Sequence, residues 1–351
     1  MNILIATTHV PFVRGGAEIH AEELHRALTE AGHRAEIVRI PFKWYPAERI
    51  LDQMLAARLL DLTEVNGDKV DLLIGLKFPA YLIPHPRKVL WILHQHRAAY
   101  DLWEHPLGDL SRDPAGAQVR HAIMQADRNT MTNATRIFAN SRNVASRLAR
   151  FNRIAATPLY HPPPGAGDFY TGEAQDYLFF PSRLWHSKRQ SLVLEALAET
   201  RERDIRIRFA GVADAPAYAD ELRALAVRLG VADQVEWLGH ISEEEKRRQY
   251  ANALAVIYPP VDEDYGYVTL EAMLAAKPVV TCTDSGGTLE FVEHRATGFI
   301  AEPTAHALAV SFDHIYKHRD EAKMLGAAAR ARYDALGITW ANVVNQLTFT
   351  V

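Results

Sequence analysis

Residues 260–280 read PVDEDYGYVTLEAMLAAKPVV. The apolar run Leu254–Tyr258 in front of them is strand-like, an apolar-periodic helix starts near Tyr265, and Pro278–Thr281 forms the next strand. Strand, helix and strand in close succession, with both strands apolar throughout, imply a buried parallel sheet. Glu263 falls in the Pro- and Asp-rich turn at the mouth of that helix, and Glu271 projects from it about two turns along. The N–H groups near Gly266, Tyr267 and Val268 belong to the helix N-terminus, which carries partial positive charge and unpaired donors and so favours a phosphate. Carboxylates beside a phosphate accept hydrogen bonds from sugar hydroxyls instead. A nucleotide sugar needs both kinds of group.

The same alternation runs through the chain, whose 351 residues suggest two domains. Strands are expected at Ile3–Thr7, Arg34–Ile40, Val70–Gly75, Val89–Leu93 and Arg136–Ala139, with a helix over Ala17–Leu28 stopped by Gly32. His161–Gly172, with three consecutive prolines and three glycines, can continue neither a helix nor a central strand and reads as the linker. After it come strands at Tyr177–Pro181, Ile205–Ala210 and Val235–Leu238. Helices fall at Ser187–Leu197 and Asp220–Leu229, and a capping box at Ser242 and Glu245 opens a further one. The expected fold is α/β: two Rossmann-like doubly wound domains, 1–165 and 170–337, facing a cleft, with a C-terminal crossover helix in 339–351 returning to the first.

Composition excludes several classes. One cysteine, Cys282, permits no intrachain disulfide and fits a reducing cytoplasm. The N-terminus lacks a basic region before its short apolar run and reads as a strand, and no window is long and apolar enough to span a membrane. A net charge of −4 argues against a nucleic-acid binder. Between Arg112 and Arg153, however, stand eight arginines, no lysine and two acids. That stretch is either a solvated helix face or a basic face for an anionic membrane or a phosphate-bearing acceptor.

Several positions carry chemistry. Gly15 and Gly16 follow the first strand and precede a helix, where a phosphate or sugar can approach the backbone. The loop lacks the GxGxxG pattern and the second strand ends RIPFK without an acid, so a nicotinamide cofactor is rejected. Arg183 and Lys188, in FFPSRLWHSKR, follow a strand at a helix start and can neutralise a pyrophosphate without a metal. His186 and Arg189 read as exposed neighbours. Asp262, Glu263 and Asp264 could hold Mg²⁺ or Mn²⁺, but the two cations make that unnecessary. His94 stands at the end of a strand, and His240 and Ile241 follow another.

The run through EAMLAAKPVV, SGGTLEFV and TGFIA resembles the E-x7-E region of the retaining glycosyltransferases of family 4. The resemblance implies the GT-B fold and metal-independent transfer from a nucleotide-diphosphate sugar. The donor is expected to be a UDP-sugar in preference to a GDP-sugar, with no further cofactor. It implies that Glu271 holds the ribose, Glu263 and His94 the transferred sugar, and Arg183, Lys188 and the amides after Glu263 the departing diphosphate. The Gly15–Gly16 pair matches the family's GGxE loop, His240 and Ile241 would pass the nucleobase, and Glu290 would cap or orient the phosphate loop. Asp264 departs from the family's commoner glycine, which leaves the sugar open. The acceptor would be a glycan, a lipid-linked molecule or a small molecule, with cell-surface polysaccharide or glycoconjugate synthesis as the setting. A glycoside hydrolase using the paired glutamates and a catalytically silent sugar-binding subunit are the alternatives.

Overall fold

The structure, a computed structural model, describes residues 1–12 and 15–349. The chain forms two compact units, Met1–Pro164 with the C-terminal segment from Thr339, and Gly165–Ile338.

The first unit is built on β1 (Asn2–His9), α1 (Gly16–Glu30), β2 (Arg34–Pro41) and α2 (Arg49–Leu59). A short antiparallel hairpin follows, β3 (Glu64–Val65) and β4 (Asp68–Lys69), then β5 (Leu72–Gly75), β6 (Lys88–Ile92), α3 (Gly116–Thr132), β7 (Arg136–Ala139), α4 (Arg142–Arg147) and β8 (Thr157–Pro158). Six parallel strands stand in the order β2-β1-β5-β6-β7-β8. Their side chains alternate between two cores, as the two-residue period of a strand requires. Leu4, Ala6, Leu73, Leu90 and Ile92 pack with Met54 of α2 and Val119 and Ile123 of α3. Ile3, Ile5, Leu72, Ile74, Val89 and Trp91 pack with Leu24 and Leu28 of α1 and with Val343 and Leu347 near the C-terminus. Burial on both faces is why these strands read as continuous apolar runs.

The second unit contains β9 (Tyr177–Pro181), α5 (Gln190–Glu199), β10 (Arg206–Ala210), α6 (Pro216–Arg228), β11 (Val235–Gly239), α7 (Glu243–Asn252), β12 (Ala255–Ile257), α8 (Tyr267–Leu274), β13 (Val279–Cys282), β14 (Gly298–Ala301), α9 (Ala305–Lys317) and α10 (Arg319–Ala335). The order β11-β10-β9-β12-β13-β14, all parallel, is the doubly wound arrangement in which the chain first winds one way from β9 and then crosses back to β12. Cys282 is a buried residue of this core. The last helix, α11 (Trp340–Thr348), capped by the Thr339 hydroxyl, packs on α1 of the first unit.

Three local expectations need correction. The signature helix begins at Tyr267 and not near Tyr265, because Gly266 adopts φ 85° and ends the loop there. Residues 187–197 are not one helix: His186–Lys188 form a 3-10 turn, Arg189 turns left-handed at φ 61°, and α5 starts at Gln190. Ser242 does cap α7, accepting from the Glu245 amide, but the Glu245 carboxylate meets Gln249 and Arg248.

One buried contact pins α11 and the start of the linker to the first sheet. His20 of α1 and His161 meet at 2.9 Å, Nδ1 to Nε2, with the Trp91 and Trp340 rings packed around them. Burial pushes the His20 imidazole down from 6.5 to about 3. The unfolded chain therefore takes up this proton at a higher pH than the folded one, and the contribution is intact above about 6.5 and lost as pH falls towards 3. Asp127, raised by burial to about 7, acts in the opposite sense, so the effect is read as a difference. From pH 7 to pH 5 the wild type should lose stability relative to His20→Asn, by up to roughly 1.4 kcal/mol per pH unit, in paired urea titrations.

Candidate functional site

In a doubly wound sheet, ligands bind beyond the strand ends where the winding reverses. In the second unit that point lies between β9 and β12, so the loops after these two strands form the crevice. They carry Lys188 and Glu263. The loops are fastened to one another and to the loop after β13: the Val261 amide donates to the Ser187 carbonyl at 2.8 Å, Asp262 to Asp284 at 2.9 Å, and Gly287 to Glu263 at 2.7 Å. Arg189 holds Asp284 through both guanidinium arms, at 2.6 and 2.5 Å. Arg189 is thus not an exposed neighbour of the site but a clamp between the first and third loops, its side chain 18% exposed.

Inside this frame Lys188 ion-pairs with the Glu263 carboxylate, and both meet Tyr258 at the end of β12. The Lys188 ammonium donates to the Tyr258 hydroxyl at 3.0 Å, and that hydroxyl donates to Glu263 at 2.9 Å. Burial, reinforced by the Glu263 charge, raises the Tyr258 phenol well above its ordinary value, so it stays a donor. Gly266 caps α8 beside this group. A Cβ there would lie 3.5 Å from Glu263 Cγ and 3.1 Å from the Thr288 hydroxyl. A Cβ on Gly287 would lie 2.6 Å from the Asp264 carbonyl, so the two loops touch only because residue 287 is glycine. The first-turn amides of α8 at Tyr267 and Val268 follow directly.

Glu271, in the second turn of α8, is buried. Tyr250 of α7 donates to one oxygen at 2.6 Å and Lys246 to the other at 3.1 Å. Burial alone would lower the Lys246 ammonium, but the Glu271 and Glu243 charges outweigh it and the net shift is upward. Lys246 therefore remains a cation beside a fixed carboxylate. His240 and Ile241 form the loop from β11 into α7, the helix that supplies both partners of Glu271.

Arg183 is engaged elsewhere. Its half-exposed guanidinium pairs with Asp214 of the loop after β10, at 2.8 Å. Glu290 is not at a helix start: it ends a 3-10 turn, Gly287–Glu290, and its carbonyl accepts from Arg332 at 3.2 Å.

In the first unit the winding reverses between β1 and β5, and the loop after β1 leads to Gly15 and Gly16. Val13 and Arg14 of that loop lie outside the described residues. The Gly15 amide donates to the Glu18 carboxylate at 2.9 Å, so the acid of the GGxE pattern already sits on the α1 N-terminus. His94 follows β6, one strand along, and its Nδ1 donates to the Gln95 carbonyl at 2.6 Å. Gln95 is fully buried and donates to Asn152 at 2.7 Å, Asn152 to Tyr100 at 3.0 Å, and Tyr100 to Asp127 at 2.7 Å. That hydrogen-bonded chain fixes the loop from which His94 projects. Beside it, burial lowers the half-buried His96 to about 4, keeping it neutral.

The basic stretch does not form one face. Arg112, Arg128, Arg142, Arg150 and Arg153 are exposed, but Arg147 is buried within 3.9 Å of Asp101. Arg120 and Arg136 lie over the Trp103 and Phe138 rings. Sequence periodicity could not show this, because the stretch spans two helices and a strand. Tyr250, Tyr258 and Lys246 were also not singled out from sequence. Only their positions at the end of β12 and along the helix facing Glu271 reveal them.

Residues 170–332, within the second unit, match the family described as glycosyl transferases group 1. Among curated proteins it is similar to alpha-1,3/1,6-mannosyltransferase ALG2 of Dictyostelium discoideum, 32% identical over 35% of this chain and 29% of that one. The chain thus spans about a third of that relative. A second relative is the GDP-mannose-dependent alpha-(1-6)-phosphatidylinositol monomannoside mannosyltransferase of Mycobacterium tuberculosis. It is 26% identical, over 93% of this chain and 92% of that one. Among solved structures, sucrose-phosphate synthase from Thermosynechococcus elongatus superposes with a TM-score of 0.79 at 17% identity, over 99% and 97% of the two chains. HepE from Anabaena, in complex with UDP and glucose, superposes with a TM-score of 0.72 at 17% identity, over 99% and 98%. The fold is that of the GT-B glycosyltransferases, two Rossmann-like units.

Gly266 tests the placement of the loop that leads into α8. Gly266→Ala should cost roughly 1–2 kcal/mol, because φ 85° is unfavourable for any side chain. A denaturation curve unchanged from wild type would mean that the α8 N-terminus is not held as described.

Proposed function

We propose that this protein is a retaining glycosyltransferase that takes a hexose from a nucleotide-diphosphate sugar. The observation that carries the reading is the meeting of Lys188 and Glu263, from the two loops that flank the winding reversal of the second sheet, at the N-terminus of α8. A diphosphate there meets a lysine and helix amides, which stabilise the negative charge that grows as the sugar leaves. Glu263, once released by Lys188, accepts from hydroxyls of the sugar. Glu271, held in place by Lys246 and Tyr250, accepts from the ribose. Arg183 reaches the diphosphate by leaving Asp214, an exposed pair that costs little to open. Retention fits front-face attack, with a diphosphate oxygen taking the acceptor proton. Because Lys188 and the helix supply positive charge, turnover needs no divalent ion and should persist in EDTA.

The relative aligned over 92% of its length is named for GDP-mannose. This favours a guanosine-diphosphate mannosyl donor over the uridine donor expected from sequence. The acceptor is a glycan or a lipid-linked molecule. No described helix is long and apolar enough to cross a membrane.

GDP-mannose should raise the melting temperature more than UDP-glucose at equal concentration. Glu271→Ala should weaken donor binding by about 1–3 kcal/mol in calorimetry, as the ribose hydroxyls lose their acceptor. Lys188→Ala should lower kcat by about 10²–10³, the usual cost of removing one preorganised charge-stabilising donor. Stabilisation by no nucleotide sugar, or turnover indifferent to Lys188→Ala, would remove this reading.

A further inference from the structure

Three side chains converge where α9 ends and α10 begins: His314, His318 and Glu321. One ligating atom from each lies within 4.8 Å of the other two. His314 Nε2 meets the Glu321 carboxylate at 2.9 Å, and the His314 and His318 rings stack at 4.4 Å. The four-residue spacing puts both imidazoles on one side of the last turn of α9, and the first turn of α10 brings Glu321 back to them.

His318 is preset as a ligand. Its Nδ1 contacts the carbonyl of residue 314 at 2.9 Å. A carbonyl only accepts, so Nδ1 carries the proton and Nε2 keeps its lone pair. Anchoring one ring nitrogen on a backbone carbonyl is how metal-ligating histidines are commonly oriented. The His314 ring is steadied by Phe299 at 5.3 Å. The basic neighbours of His318 are engaged by other acids. Lys317 pairs with Glu202 at 2.9 Å, and Arg319 pairs with Asp176 while lying over the Tyr316 ring. The Glu321 carboxylate is thus left to the two imidazoles.

We propose that His314, His318 and Glu321 bind a divalent first-row transition metal, zinc foremost. Two imidazoles and a carboxylate suit that ion, and solvent completes the coordination. The metal takes the place of the His314 Nε2 proton, which moves to the other ring nitrogen. Bound there, the ion ties α9 to α10. The latter helix backs α8: Arg330 donates to the Leu274 carbonyl at 2.8 Å, and a Cβ on Gly326 would lie 2.1 Å from the Ala276 carbonyl. The site therefore braces the signature helix from behind, and none of its ligands belongs to the donor site.

The full chain, stripped with EDTA and dialysed, is titrated with CoCl₂ and followed by visible absorption, then with ZnCl₂ and followed by thermal unfolding. A single equivalent of cobalt should give ligand-field bands that zinc abolishes, and zinc should raise the melting temperature. His318→Ala changes an exposed side chain, and Glu321→Gln conserves size. Both should lose the bands and the thermal shift while keeping the melting temperature of the stripped wild type to within a few degrees. The absence of bands in the wild type overturns the proposal. So do bands that persist in both variants, which would place the metal on other histidines of the chain.

Discussion

Parallel strands cannot be joined by tight turns. Each needs a crossover that returns over a face of the sheet, so all strand C-termini lie along one edge. The loops of the candidate site follow from that constraint. The loops after β9, β12 and β13 have nowhere else to go, and backbone bonds between Ser187 and Val261, Asp284 and Asp262, and Glu263 and Gly287 fasten them together. Because β9 and β12 are adjacent in space but far apart in sequence, a lysine and a glutamate 75 residues apart become an ion pair.

The fold was legible because burial on both faces makes parallel strands continuous apolar runs, and glycines mark the helix ends. Most strand positions fell within a residue or two of those observed. What stayed hidden is instructive. The α2 and α3 helices connect strands of the first unit through sequence of mixed polarity, and neither was delimited from periodicity. The break at Arg189 was missed because a left-handed arginine is rare, and its conformation is stabilised by the distant Asp284, which local propensity cannot report. Arg147 looked like one cation among eight until the structure buried it near Asp101.

The site residues divide along the same line. Glu263, Glu271 and Lys188 announce themselves by residue type and by position relative to strands. Tyr258, Tyr250 and Lys246 do not, because a tyrosine at a strand end or a lysine on an acidic helix has many uses. Their importance lies in satisfaction. A buried carboxylate is costly unless each oxygen has a donor, and Glu271 finds one for each oxygen on a single neighbouring helix. Fixing the carboxylate in this way leaves its remaining lone pairs oriented before a ligand arrives.

Lys188 and Glu263 neutralise one another, and the consequence is a matter of exchange. Both side chains are only about a fifth exposed, at 17% and 19%, so separating them without replacement would strand two partly buried charges. A phosphate alone satisfies the lysine but takes it from the carboxylate. A sugar hydroxyl alone satisfies the carboxylate but leaves the lysine. A ligand that carries an anion and a hydroxylated ring at bonding distance satisfies both at once and replaces one closed pair by two. On the proposed reading, the resting ion pair would favour the composite ligand over either half.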